Sequence, residues 1–186
     1  MSVEPSKAPT SRRVPFLIGS TFVLLLAVGL FLAQGRERVI ALGRPQRYDD
    51  FAFAVANVHR LDAIDGLRPE RGAFLVVRLG IRNQAKRVDY QFRPGMAFVE
   101  DTDAVRYPLS TEATRRRTSS PGGLPPCDQP IPAGSSCTTD LVFDVPASIR
   151  APRFLLSSGT VGDLLDRILE GKVRFALDEE PRPDRP

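Results

Sequence analysis

Two cysteines, one histidine and a few clustered carboxylates and arginines are the side chains of this 186-residue chain that could do chemistry. Cys127 and Cys137 bracket Asp-Gln-Pro-Ile-Pro-Ala-Gly-Ser-Ser, ten positions apart. A turn at Ala133-Gly134 lets the two approach, so a structural disulfide is the expected reading, with two free thiols as the alternative. A metal pair lacks third and fourth ligands nearby, and the redox spacing C-x-x-C is absent. If the bridge exists, this part of the chain lies in an oxidising compartment.

His59 would be the base of any Ser-His-Asp or Cys-His device. No G-x-S-x-G occurs, and Ser157-Ser-Gly159 reads as a strand end entering a helix cap. In register with Phe51, Phe53 and Val55, His59 falls beside Arg60 at the end of a strand, as a surface histidine. Asp49-Asp50 precedes that strand and forms no catalytic dyad. Glu100, Asp101 and Asp103 crowd a turn that would offer a calcium ion some oxygens, but the twelve-residue loop pattern is missing. Neither a G-x-G-x-x-G nor a phosphate-binding loop is present. The sequence thus nominates no catalytic, cofactor-binding or metal-binding residue, and the expectation is a protein that is not an enzyme. Arg115, Arg116 and Arg117 lie in a Pro-rich stretch, 110–134, read as a long irregular loop. With only Glu112 near, they read as a solvated run or as a contact for anions or lipid headgroups.

The elements that would position these groups have a period of two. Phe51, Phe53 and Val55 alternate with alanines; Leu75, Val77, Leu79 and Ile81 face one way while Arg78 and Arg82 face the other. Such alternation marks half-buried antiparallel strands. Met96–Val99 and Val105–Leu109 flank a polar turn and read as a hairpin. Thr139, Leu141, Phe143 and Val145 form another strand, ended by Pro146. Phe154–Ser157, Val173–Leu177 and a weak Val88–Phe92 complete a pattern that suits a two-sheet sandwich. One stretch differs: Val161, Leu164, Leu165, Ile168 and Leu169 make a helical apolar stripe, with Thr160 and Asp163 at its start and Gly171 at its end. This short amphipathic helix is expected to cap one end of the core.

Charge is unevenly placed. The net charge is +4, yet residues 48–178 carry 17 basic and 17 acidic side chains, and the surplus comes from residues 1–47. A nucleic-acid-binding domain needs a local cationic excess, so no nucleic-acid partner is expected. Residues 14–35 hold no charge at all and centre on Phe22–Ala33. About 20 apolar residues cross a bilayer as a helix, so this run reads as a transmembrane anchor. A cleaved signal peptide is the rival, disfavoured because the run is long and bulky Phe31 sits three residues before a cut after Ala33. The flanking arginines are balanced, and the cysteine pair favours an N-terminus in the cytoplasm and the domain outside.

Tyr48–Asn57, Gly72–Asn83, Phe98–Asp101 with Tyr107, and Ile131–Gly134 leading into Leu141–Pro146 together resemble the bacterial immunoglobulin-like domain of unknown function in the immunoprotective extracellular superfamily. That resemblance implies an immunoglobulin-like β-sandwich on the outer side of a membrane, and it brings no catalytic residues. No Cys follows the apolar run as a lipidation site, so the helix itself would be the anchor.

The expected organisation is therefore a cytoplasmic tail at 1–13, a transmembrane helix at 14–35, a juxtamembrane linker at 36–47, a mainly β, antiparallel sandwich at 48–178 and a disordered tail at 179–186. The expected location is the cell membrane, single-pass, with the domain in the periplasm or outside the cell. The expected work is non-enzymatic binding or scaffolding, with an envelope protein or ligand meeting the 110–134 or 59–72 loops. An accessory structural subunit of a membrane complex and an envelope hydrolase using His59 are the alternatives.

Overall fold

The structure, a computed structural model, describes residues 37–156 and 172–177. Among the described residues, nine strands form two sheets and one α-helix lies against them. The strands are β1 (Glu37–Ile40), β2 (Gln46–Tyr48), β3 (Phe51–Leu61), β4 (Gly72–Asn83), β5 (Ala97–Glu100), β6 (Arg106–Pro108), β7 (Ser136–Pro146), β8 (Arg153–Leu156) and β9 (Lys172–Ala176); the helix, α1, spans Thr111–Ser119. One sheet has the order β2-β3-β4-β7 and the other β1-β9-β8-β5-β6. The alternating residues meet between the sheets: Val55, Leu75, Val77, Leu79, Ile81, Leu141 and Phe143 from the first pack against Val99, Phe154 and Phe175 from the second. Phe143 and Phe154 meet edge-on across the gap, with ring centres 6.0 Å apart, an arrangement that adds to their area burial. The expected two-sheet sandwich and the hairpin around residues 101–105 are thus present.

Four expectations need correction. The sheets are not wholly antiparallel, because β1 pairs parallel with β9 from Glu37↔Lys172 to Ile40↔Phe175. From residue 37 onward the expected linker is part of the sandwich: β1 extends one sheet and β2 pairs with β3, while Ile40 and Leu42 pack on the core. A four-residue strand at a sheet edge carries too short an alternation to stand out beside a charged flank. Residues 88–92 form no strand but a single bridge, Tyr90↔Ile131. Residues 111–119 are helical, not irregular.

β3 contains a bulge. Val55 pairs with Leu79 and Asn57 with Arg78, so Ala56 is the extra residue. A bulge shifts the period by one and exchanges the faces beyond it. Val58, opposite Val77, therefore returns to the core, and His59, opposite Val76, points to the outer face. The simple register that would keep His59 on the side of Phe53 and Val55 does not survive this insertion.

The sandwich has two distinct ends. β1 and β9 begin at one end, where β8 finishes and β5 starts. The same end holds residues 84–96 and the 132–135 turn, joined by Gly134 N–H to Asn83 O (3.0 Å) and Asn83 N–H to Ser135 O (2.9 Å). Fully buried Asn83 ties them further: its Nδ2 donates to Val88 O (2.7 Å) and Ile131 O (2.9 Å), and its Oδ1 accepts from Ala85 N–H (2.9 Å). The opposite end holds residues 62–71 and the β7–β8 connection, where Arg60 donates to Ala147 O (3.0 Å) and Ile149 O (3.3 Å). Residues 14–35, the expected 160–171 helix and the expected 1–13 and 179–186 tails lie outside the described residues. Among the described residues, no helix is long and apolar enough to cross a membrane.

Candidate functional site

The titratable groups that the sequence could not connect meet on the outer face of the β2-β3-β4-β7 sheet, under α1. The helix starts at Thr111, with Thr114 N–H donating to Ser110 O at 2.9 Å. Glu112 in the first turn faces the positive end of the helix dipole. It also binds the two arginines one turn on: Arg115 Nη2 at 2.8 Å and Arg116 Nε at 2.7 Å. The pairing of i with i+3 and i+4 is available only once the segment is helical. Two of the three arginines thus pair locally through Glu112, Arg115 while staying largely exposed. α1 presents fully buried Ala113 to Ile64, Phe74, Val76 and Val142, a second small apolar cluster outside the main core. Thr114 Oγ1 accepts from Val142 N–H at 3.1 Å, so the helix also covers part of the β7 edge.

Arg117 turns the other way, toward Asp140. In the β4–β7 register Arg78 lies directly opposite Asp140. Its Nε donates to Asp140 Oδ1 (2.8 Å) and its Nη2 to Oδ2 (3.1 Å), while Arg117 Nε donates to the same Oδ2 (3.2 Å). The Asp140 side chain has no exposed surface. Both arginines also reach Gly122 O, at 3.1 and 3.0 Å. Gly123 follows at a point where a Cβ would lie 1.8 Å from Arg117 O, so only glycine fits. Burial pushes the Asp140 carboxyl up, but the hydrogen bond from Arg78 and the charges of Arg78 and Arg117 outweigh it, and its pKa ends below the usual carboxylate value. His59 sits close enough to feel all three charges. Burial lowers its pKa first; Arg117 and Arg78 lower it further, against Asp140.

Both Asp140 oxygens accept from guanidinium donors, and no hydrogen bond joins this carboxylate to His59. The His59 side chain has no hydrogen-bond partner among the described residues. It borders a groove of about 250 Å³ lined by Val58, His59, Arg60, Leu75, Ile149, Ala151, Pro152 and Leu177, with no Ser, Cys, Asp or Glu among them. Ser157-Ser-Gly159, read as a strand end entering a helix cap, lies outside the described residues.

The acidic turn is likewise committed. Asp101 accepts from Asp103 N–H, Val105 N–H and Tyr107 Oη at 2.9, 2.9 and 2.8 Å. Glu100, buried inside β5, pairs with Arg106 (3.1 Å) and Arg174 (2.7 Å). No group of three or more His, Cys, Asp or Glu side chains among the described residues is placed to hold a metal. Cys127 and Cys137 form a disulfide, with Cα atoms 6.1 Å apart, joining the buried end of the Pro-rich segment to the start of β7.

The alternation in the sequence puts Arg78 on an outward position of its strand, which is correct, but gives no sign that it faces Asp140. Their partnership depends on the β4–β7 register, and Arg117 joins them only because α1 folds down over β7.

The chain is similar in structure to the secreted protein MPT63 of Mycobacterium tuberculosis, with a TM-score of 0.53 at 13% identity, over 76% of this chain and 98% of that one. It is similar also to a conserved hypothetical protein of Bacillus anthracis, with a TM-score of 0.50 at 16% identity, over 61% of this chain and 85% of that one. At such identities the likeness shows the sandwich fold alone. No curated protein matches the sequence. Neither structural relative carries an enzymatic activity in its name. The family described as domain of unknown function DUF4352 matches residues 40–163. The match takes in nearly the whole sandwich, from the end of β1 past β8, and the chain belongs to the DUF4352 family.

Proposed function

We propose that this chain is an immunoglobulin-like, membrane-tethered binding or scaffolding module of the cell envelope, non-enzymatic, with residues 14–35 as its single transmembrane anchor and the sandwich on the extracytoplasmic side. The Cys127–Cys137 disulfide carries the reading, because such bridges persist in oxidising compartments. The charge-free run at 14–35 supports it, being long enough to span a bilayer. So does the secreted status of MPT63, which shares the sandwich architecture. The occupied Asp140 and Asp101 carboxylates and the groove without a nucleophile favour contact over catalysis.

Thiol labelling with an impermeant reagent on intact cells tests the reading. Cys127 and Cys137 are expected to label only after reduction, and from outside. Free thiols that label only after lysis would overturn both the bridge and the orientation.

A further inference from the structure

From the position of β1 we infer that the sandwich stands end-on to the bilayer and that the 84–96 loop contacts anionic lipid headgroups. The inference rests on the anchoring reading above. The apolar run ends at Gly35 and β1 begins at Glu37. Two residues reach at most about 7 Å, so on the anchoring reading the end of the sandwich where β1 starts lies near the membrane surface, where the charges of that end decide which loop meets the lipid. The 84–96 loop lies at that same end, because it leaves β4 at Asn83 and enters β5 at Ala97, the residue paired with Leu156.

The loop is built to present charge rigidly. Asn83 fixes it through Val88 O and Ala85 N–H. Tyr90 anchors its middle, its ring centre 4.3 Å from that of Phe51 and 5.9 Å from that of Phe53. Between these points Lys86, Arg87, Val88 and Asp89 are exposed, Val88 to 62%, the highest among the exposed large apolar residues. Arg93 is exposed where the loop turns toward β5. None of Lys86, Arg87 and Arg93 has an ion-pair partner among the described residues. Asp89 is the loop's one acidic group; of the others at this end, Asp50 is paired with Arg47 at 3.8 Å, Glu37 opens β1 opposite Lys172, and Asp49 and Asp128 lie outside the loop. Three unpaired cations around an exposed valine match a surface of anionic headgroups over an apolar interior. Arg115, Arg116 and Arg117 do not share this position. Their guanidinium groups are occupied, and Arg116 Nη1 donates to Asp65 O at 2.9 Å, toward the opposite end.

The test uses the full chain reconstituted in vesicles of equal parts phosphatidylcholine and phosphatidylglycerol. A fluorophore is placed by Val88→Cys, by Asp62→Cys at the far end, or by Leu25→Cys in the apolar run, the disulfide leaving no other free thiol among the described residues. Lipids spin-labelled near the headgroup are expected to quench the probe at 88 several-fold more than that at 62. Deep spin labels are expected to quench the probe at 25. Combining K86Q, R87Q and R93Q should bring the probe at 88 down toward the value at 62. Equal quenching at 88 and 62, with the probe at 25 still quenched from the bilayer interior, overturns this inference and leaves the anchor standing. An unquenched probe at 25 overturns both. Undiminished quenching in the triple variant overturns the role of charge.

Discussion

Asp140 and His59 show how a single position changes meaning with its neighbours. The Asp140 carboxylate has no exposed surface and accepts from two guanidinium groups. Removing its charge by Asp140→Asn leaves those groups unmatched and should destabilise the fold by about 2–4 kcal/mol in urea titrations, below the fully buried range because Arg78 and Arg117 keep partial exposure. The pKa of Asp140 is lowered in the fold. Its contribution is therefore present above the ordinary carboxylate value of about 4 and lost as pH falls through the lower folded value, so the gap between wild type and variant should shrink in acid. His59 also has a lowered pKa. The unfolded chain then takes up the proton first, and stability should fall as pH drops below about 6.5. His59→Gln should remove that loss, which unfolding midpoints on either side of this pH would detect. A midpoint difference unchanged by His59→Gln would mean that other groups govern this range.

At the scale of elements, the Pro-rich stretch is organised from both sides. α1 seals the outer face through Ala113 and Thr114, and the disulfide pins the far end of the segment to β7. Closing a loop of ten residues stabilises by about 2.5–3 kcal/mol in the loop-entropy account. Replacing both cysteines by serine should lower stability by about that amount, read from thermal or urea unfolding, while leaving the β-rich circular dichroism spectrum intact. Loss of the β signal would instead make the bridge a condition for folding. The apolar pattern identifies β4 and β7 readily because both are long and alternate cleanly. α1 is harder to read: a mean composition dominated by arginine and threonine has no apolar stripe, and only Ala113 is buried. Its helical state is decided by what it covers, the cluster of Ile64, Phe74, Val76 and Val142.

At the scale of the whole molecule, β1 draws the chain into the sandwich from residue 37 onward. The five-stranded sheet has β1 at its edge, and Ile40 and Leu42 close over the core from it. A chain beginning at residue 48, the boundary suggested by composition, should therefore be less stable than one beginning at residue 37 by roughly 2–4 kcal/mol, from the loss of these side chains and of β2. Urea unfolding of the two truncations decides it. Equal stability would show that β1 and β2 dock without contributing.

By itself the sequence determined the sandwich core and the approach of Cys127 to Cys137, because side chains that alternate along a strand and a turn between two cysteines are local properties. It also determined the uneven charge and the apolar run at 14–35, for the same reason. Only the tertiary structure decided the parallel docking of β1 on β9, the bulge that turns His59 outward, the helical state of 111–119 and the gathering of Arg78, Arg117 and Asp140 around one carboxylate. Each of these depends on which strands become neighbours and in what register, and the free energy that selects the register comes from contacts between residues far apart in the chain.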